Sequence, residues 1–173
     1  RRRHSFPTRR SSDLQIKGTQ IVNGIMIAAL IRCAVTIACY EAVLLVFGAI
    51  GWSSVLPMAF ASMLAGWAFS VTVLAATSYV KRDDGFFAIV NRFIIAPMFM
   101  FSGTFFPLES LPIYLQPIGW ISPLWHASDL GRVLAYGKVE PGWLVVTHYL
   151  YFVVMIAVAT YIGARQFTRR LAK

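Results

Sequence analysis

The side chains best suited to chemistry lie in a short stretch, WHASD, which holds His126, Ser128 and Asp129. A histidine, a hydroxyl and a carboxylate can form a hydrolytic triad, but such a triad is defined by geometry and not by adjacency along the chain. No G-x-S-x-G nucleophile elbow and no HExxH metal motif occurs in the sequence. We therefore predict no catalytic and no metal-binding residue, and we interpret His148 as a packed or interfacial histidine.

Two further ionisable residues, Arg32 and Glu41, interrupt the first apolar run. An ionisable group in lipid costs about 2.5–3.5 kcal/mol on insertion scales, which makes it a functional candidate. Arg32 and Glu41 are nine positions apart, which corresponds to about 180° around a helix. Their side chains therefore cannot pair on one straight helix. We expect Arg32 to extend to the membrane surface. Glu41 should face a neighbouring helix, a partner protomer or a wet path, and both a structural and a functional role stay open.

The elements that must position these residues are those of a membrane protein. Hydrophobic residues make up 58% of the 173-residue chain and charged residues 13%, against about 45–50% and about 25% in soluble domains. This composition excludes a soluble globule and a disordered chain. The formal charge of +9 would suit a nucleic-acid binder, but the long uncharged runs would not.

Four apolar runs predict an all-α membrane protein with four transmembrane helices, because each run is long enough to cross a bilayer and none alternates as a strand would. Small residues recur in the second run and should let helices approach closely: Ala61, Ala65, Gly66 and Ala68. The predicted spans are residues 23–50, 55–80, 86–106 and 143–164.

Basic residues fix the expected orientation, because positive charge marks the cytoplasmic side of a membrane protein. Lys81 and Arg82 lie between the second and third runs, and further basic residues follow the fourth. We therefore expect both ends of the chain to be cytoplasmic and residues 103–142 to be external.

The predicted external segment, residues 107–142, is apolar but divided by prolines, which cannot continue a helix interior. Its tryptophans and tyrosines favour a membrane interface. We expect one or two short helices that lie in, or dip into, the outer leaflet, one of them running from Pro123 to about Tyr136. The alternative is an aromatic-rich interfacial loop without a specific role.

Residues 1–14 form a separate basic segment with five arginines and one aspartate, +4 of the total charge. It has no apolar core of the kind a secretory signal needs. A disordered tail is one interpretation. However, HSFPTRRSSDL, residues 4–14, resembles the translation of a sequencing-library adapter. We therefore hypothesise that the native sequence begins near Gln15.

One stretch resembles a known family. FIIAPMFMFSGTFFPLESLPIYLQPIGWISPLWHASDLGRVLAYG is similar to the closing half of ABC-2 type exporter permeases, in particular the nodulation/lipooligosaccharide exporter branch. The resemblance is carried by FSGTFFPL, by the proline-bounded LPIYLQPI and by PLWH followed by DLGR. QIVNGIMIAALIRCAV and KRDDGFFAIVNRF resemble earlier family segments more weakly.

The resemblance implies a permease subunit with six membrane helices, of which this chain would hold the last four. It also implies two permease subunits, which together export lipid-linked oligosaccharides or other amphipathic molecules across the bacterial inner membrane. ATP would be hydrolysed by a separate ATPase subunit, since the sequence contains no GxxxxGK[ST] loop, so this chain would bind no cofactor itself.

The resemblance also assigns candidate residues. Gln15, Lys17 and Asn23 would belong to the remnant nearest the ATPase. The exit region would contain aromatic residues, prolines and one histidine of the external segment: Phe105, Phe106, Pro107, Pro112, Tyr114, Trp120, Pro123, Trp125 and His126. Two other classes stay open: a membrane-embedded enzyme acting on lipids, which would need His126 and Asp129, and a small channel or assembly protein.

Overall fold

The computed structural model describes residues 18–80 and 85–171, which form helices joined by turns, without a strand among them. The basic segment 1–14, Gln15, Lys17 and residues 81–84 lie outside these residues. The expected all-α architecture is thus confirmed for the described part of the chain.

Three helices are long: α1 (Gly18–Val46), α2 (Trp52–Thr77) and α7 (Gly142–Leu171). Each contains an apolar span of 25 or 26 residues. At 1.5 Å per residue such a span is about 38 Å long, enough to cross the roughly 30 Å hydrocarbon core with some tilt. These helices correspond to the first, second and fourth predicted spans.

The third predicted span is shorter than expected. Its helical segment, Phe86–Phe101, consists of α3 (Phe86–Val90), a π-helical turn (Asn91–Ile95) and α4 (Ala96–Phe101). The predicted end at residue 106 is wrong, because Gly103 adopts a positive φ of 70° and turns the chain away. Sixteen residues span about 24 Å, so the described residues contain three full-length apolar helices and this shorter one.

Helix α2 lies at the centre of the packing and contacts α1, α6 and α7. Its buried Ala65 and Ala68 pack against the fully buried ring of Phe152 on α7. Nearly two turns further along, Val71 and Ala75 pack against Ala159. The small residues of α2 therefore let α7 approach closely, as the sequence predicted.

The segment between α4 and α7 folds into short elements. A 3-10 turn (Leu108–Ser110) precedes α5 (Gln116–Ile121) and α6 (Pro123–Tyr136). Helix α6 has the predicted bounds because proline suits its first turn and Gly137, with a φ of 67°, supplies the left-handed residue that ends it. This segment packs on α2 and α7 through α6.

Candidate functional site: a buried polar cluster between α6 and α7

Five polar residues from α6, the following turn and α7 converge on one another. His126 and Asp129 lie on α6, Lys138 and Glu140 lie in the turn, and His148 lies in the second turn of α7. His126, Asp129 and His148 are 4%, 2% and 0% exposed. Such burial of polar groups is costly unless they are paired, so their partners define what the cluster can do.

Lys138 joins the two carboxylates of the cluster. Its Nζ atom donates to Asp129 Oδ1 at 2.6 Å and to Glu140 Oε1 at 2.7 Å. Arg132 Nη1 lies 3.7 Å from the same Asp129 oxygen. Both cations therefore contact the Oδ1 side of Asp129, and Lys138 holds the two carboxylates next to each other.

Asp129, Lys138 and Glu140 shift one another's pKa values. Burial alone would raise the pKa of Asp129, but hydrogen bonding with Glu140 and Lys138 holds that pKa below its usual value. Burial and hydrogen bonding with Asp129 raise the pKa of Glu140. Burial opposes the charge of Lys138, yet its two carboxylate partners raise its pKa. Negative charge is thus concentrated on Asp129, with Lys138 as its counter-ion.

The other side of the cluster contains three buried atoms without a hydrogen-bond partner: Asp129 Oδ2, Glu140 Oε2 and His148 Nε2. His148 Nε2 lies 3.4 Å from Glu140 Oε2 and 3.8 Å from Asp129 Oδ2. The three atoms therefore face one another in a closed space, where an unmade hydrogen bond is expensive.

The two histidines are hydrogen-bonded to each other. His126 Nδ1 and His148 Nδ1 are 2.7 Å apart, and His126 Nε2 is 3.0 Å from the carbonyl oxygen of Trp120. Burial, and after it the charge of His148, lower the pKa of His126 to about 4, so His126 is neutral near pH 7. The Trp120 carbonyl can only accept, which places the single hydrogen of His126 on Nε2. His126 Nδ1 must then accept the hydrogen bond that His148 Nδ1 donates.

Aromatic rings enclose this pair. The ring of His126 stacks on Tyr151 with the ring centroids 4.0 Å apart, and Trp125 meets both imidazoles edge-on. Tyr151 also donates a hydrogen bond from its hydroxyl to the carbonyl of Ile121 at 2.6 Å. The orientation of both imidazoles is therefore fixed from several directions.

A second set of contacts ties α6 to the end of α4. Arg132 donates hydrogen bonds to the carbonyl oxygens of Gly103 and Thr104. Ser128 Oγ donates to the carbonyl of Ser102 at 3.3 Å. The polar face of α6 thus holds the turn after α4 in place on one side and binds α7 on the other.

The predicted exit residues separate into two groups. Trp125 and His126 are buried, His126 in the cluster and Trp125 against its two imidazoles. Pro123 is half-buried at the start of α6. The remaining six are exposed: Phe105, Phe106, Pro107, Pro112, Tyr114 and Trp120. The assignment of these nine residues to an exit region stays a prediction.

The two intramembrane candidates, Arg32 and Glu41, also differ in exposure. Arg32 is exposed on α1, whereas Glu41 is 5% exposed and its Oε1 atom has no partner. Asn23, the described member of the predicted coupling remnant, is an exposed residue of α1.

Sequence reasoning missed Lys138, Glu140 and the role of His148. It weighed His126 and Asp129 only against their neighbours in sequence, whereas their partners lie up to 22 residues away. The available signal was the scarcity of charge: residues 103–142 hold five charged residues, two of which, Lys138 and Glu140, come ten and eight residues before the histidine of an otherwise apolar span.

These observations define an all-helical, multi-pass membrane protein. The chain belongs to the ABC-2 type transporter family, whose family model matches residues 14–136. It is 28% identical over 159 residues to Nodulation protein J of Rhizobium leguminosarum bv. trifolii, an alignment that covers 92% of this chain and 60% of the relative. It is 32% identical over 75 residues to Nodulation protein J of R. leguminosarum bv. viciae, covering 43% of this chain and 29% of that relative.

The chain thus spans about three fifths of the length of the first of these relatives. No solved structure matches it.

Proposed function

We propose that this chain is part of the transmembrane permease subunit of an ATP-binding-cassette exporter. The observation that carries the proposal is the family match over residues 14–136, which includes two of the three helices long enough to cross a membrane. Its substrate would be a lipid-linked oligosaccharide or another amphipathic molecule. The resemblance to the nodulation/lipooligosaccharide exporter branch favours the oligosaccharide class.

The exposed aromatic residues support a path for such a substrate. Phe105, Tyr114 and Trp120 are 74%, 74% and 52% exposed on the segment that the polar cluster holds against α7. Tyrosine and tryptophan favour the headgroup level of a bilayer. We propose that this surface contacts the substrate where it leaves the permease.

The open face of α1 supports a second permease subunit. Ile27, Ile31 and Val35 are 57%, 60% and 59% exposed and lie on an apolar span. In a membrane these side chains contact lipid or another helix, and we propose that part of this surface faces a second permease subunit, as a homodimer. The ATPase would bind on the cytoplasmic side of the bacterial inner membrane, with both ends of the chain on that side.

Reconstitution tests this function. The permease, together with the ATPase subunit encoded by the same genome, would be placed in lipid vesicles with a fluorescent lipid-linked oligosaccharide. We expect transport with ATP and none with a non-hydrolysable ATP analogue. Replacing Phe105, Tyr114 and Trp120 together by Ala should slow transport several-fold, whereas Tyr161→Ala, at a 67% exposed position on α7, should not. Equal flux with and without ATP would indicate a channel.

The cluster itself supplies the observation that favours a second candidate, a lipid-modifying enzyme, because it brings acids and histidines together. However, its Asp129, Glu140 and His148 side chains are only 0–4% exposed. A lipid substrate would need open access to them. We therefore assign a structural role to the cluster. Loss of a lipid-modifying activity in His126→Gln and Asp129→Asn variants would favour the enzyme instead.

A further inference from the structure

We propose that Asp129, Glu140 and His148 bind a divalent transition-metal ion, zinc by preference, which links α6, the turn after it and α7. This inference concerns how the external segment is held and does not depend on the transported substrate. It departs from the sequence-based prediction that the chain has no metal site.

The spacing of the three unpartnered atoms supports such a site. Zinc bonds to imidazole nitrogen and carboxylate oxygen are about 2.0–2.2 Å long, which places the ligand atoms of a tetrahedral site about 3.4 Å apart. His148 Nε2 is 3.4 Å from Glu140 Oε2 and 3.8 Å from Asp129 Oδ2. One ligand atom from each of the three residues lies within 4.8 Å of the other two. An ion can therefore be placed between them with small side-chain rotations.

When His148 is neutral and both carboxyl groups are ionised, all three atoms are acceptors. His148 Nδ1 donates to His126 Nδ1, because the hydrogen of His126 is committed to the Trp120 carbonyl. A neutral His148 therefore directs the lone pair of Nε2 towards two carboxylate oxygens. His148 is 0% exposed and Asp129 2% exposed, so water does not relieve this repulsion. A cation among the three atoms does.

The surroundings resemble the outer shell of a metal site. Metal-bound histidines usually donate their other ring N–H to a fixed acceptor, and metal-bound carboxylates are themselves hydrogen-bonded. His126 is the fixed acceptor for the ring N–H of His148. Lys138 donates hydrogen bonds to Asp129 Oδ1 and Glu140 Oε1, which leaves the opposite oxygen of each carboxylate directed at His148.

The ligand set favours zinc over the common hard cations. Ca²⁺ takes six to eight oxygen ligands and Mg²⁺ an octahedral set, whereas one imidazole and two carboxylates with a fourth position suit Zn²⁺. Lys138 and Arg132 also cancel the formal charge of the two carboxylates, so binding must depend on coordination bonds more than on net charge. A water molecule that enters with the ion would supply the fourth ligand.

Metal content of the purified protein tests the site. The full chain would be purified in detergent with a tag that contains no histidine, incubated with Zn²⁺, desalted and measured by mass spectrometry. We expect about one zinc per chain, and a loss of most of it in Asp129→Asn and Glu140→Gln variants. Glu109→Gln, a matched change at an exposed carboxylate, should keep the zinc. With Co²⁺ as the probe, the wild-type protein should develop the visible absorption bands of a tetrahedral site.

A second measurement keeps the test valid if a variant fails to fold. Since a ligand that binds only the folded state stabilises it, Zn²⁺ should raise the unfolding temperature of the wild-type and Glu109→Gln proteins by several degrees, and EDTA should reverse the increase. Equal zinc content in Glu140→Gln and Glu109→Gln, or an unfolding temperature that does not respond to zinc, would overturn the proposal. A proton shared among the three residues would then account for their contacts.

Discussion

His126 on α6 and His148 on α7 are 22 residues apart in sequence, yet their Nδ1 atoms lie 2.7 Å apart. Both side chains are buried, so the bond connects the segment after α4 to a membrane-spanning helix in a place that water does not reach. A buried hydrogen bond fixes orientation, because each partner is costly to leave without the other. The pair thus determines how α6 is seated on α7.

Replacing His126 with Ala should therefore destabilise the protein by about 3 kcal/mol, since it removes two hydrogen bonds, leaves the His148 N–H without an acceptor and opens a cavity beside Tyr151. Unfolding by denaturant in detergent micelles, followed by circular dichroism, would measure the change. Tyr114→Ala, at a side chain that is 74% exposed, should change the free energy of unfolding by less than about 0.5 kcal/mol. Equal effects of the two variants would contradict the structural role of the histidine pair.

Lys138→Met should also destabilise the fold, because Asp129 and Glu140 would face each other without their shared counter-ion. The Lys138 side chain is 35% exposed, so the loss is smaller than for a fully buried pair, about 1–2 kcal/mol. Unfolding measured in the presence of EDTA would keep metal ions out of the comparison. Arg165→Met, which removes an exposed charge near the other end of α7, serves as the control.

The double variant Lys138→Met/Glu140→Gln tests the cause. If repulsion between carboxylates is responsible, removing the charge of Glu140 should restore part of the stability lost in Lys138→Met, a coupling that a double-mutant cycle measures directly. Strictly additive losses would mean that Lys138 acts through packing instead.

Gly119 should not tolerate a side chain. A Cβ atom there would lie 2.4 Å from Leu108 Cδ1 and 2.8 Å from the carbonyl oxygen of Phe101, so α5, Leu108 or the end of α4 would have to move. We expect Gly119→Ala to lower stability by about 1–3 kcal/mol. Gly131→Ala is the matched control, because a Cβ there has no atom within 4 Å. Because Gly131 lies inside helix α6, Gly131→Ala should leave the stability of the protein unchanged or raise it by up to about 1 kcal/mol. Thermal unfolding of both variants would check this, and the reverse order would contradict the packing of α5.

The sequence predicted the elements better than it predicted the cluster. Local features were sufficient for α6, since a proline marks its start and Gly137 its end. They were insufficient for the end of α4, where apolar Phe105 and Phe106 extended the predicted helix past the turn at Gly103. The cluster depends on tertiary contacts: nothing near Asp129 in the sequence indicates that Glu140 and His148 fold back onto it. A buried polar site of this kind is visible only when the packing of α6 on α7 is known.

The orientation of the chain in the membrane can be tested with single cysteines in a Cys33→Ala/Cys39→Ala background. Val139 is 96% exposed in the turn before α7, and Tyr79 is 55% exposed just after α2. Because basic residues favour the cytoplasmic side, Val139→Cys should react with a membrane-impermeant maleimide in intact spheroplasts. Tyr79→Cys should react only after the membrane is permeabilised. The opposite labelling pattern would place the polar cluster on the cytoplasmic side, and the aromatic surface beside it could then not serve as an external exit.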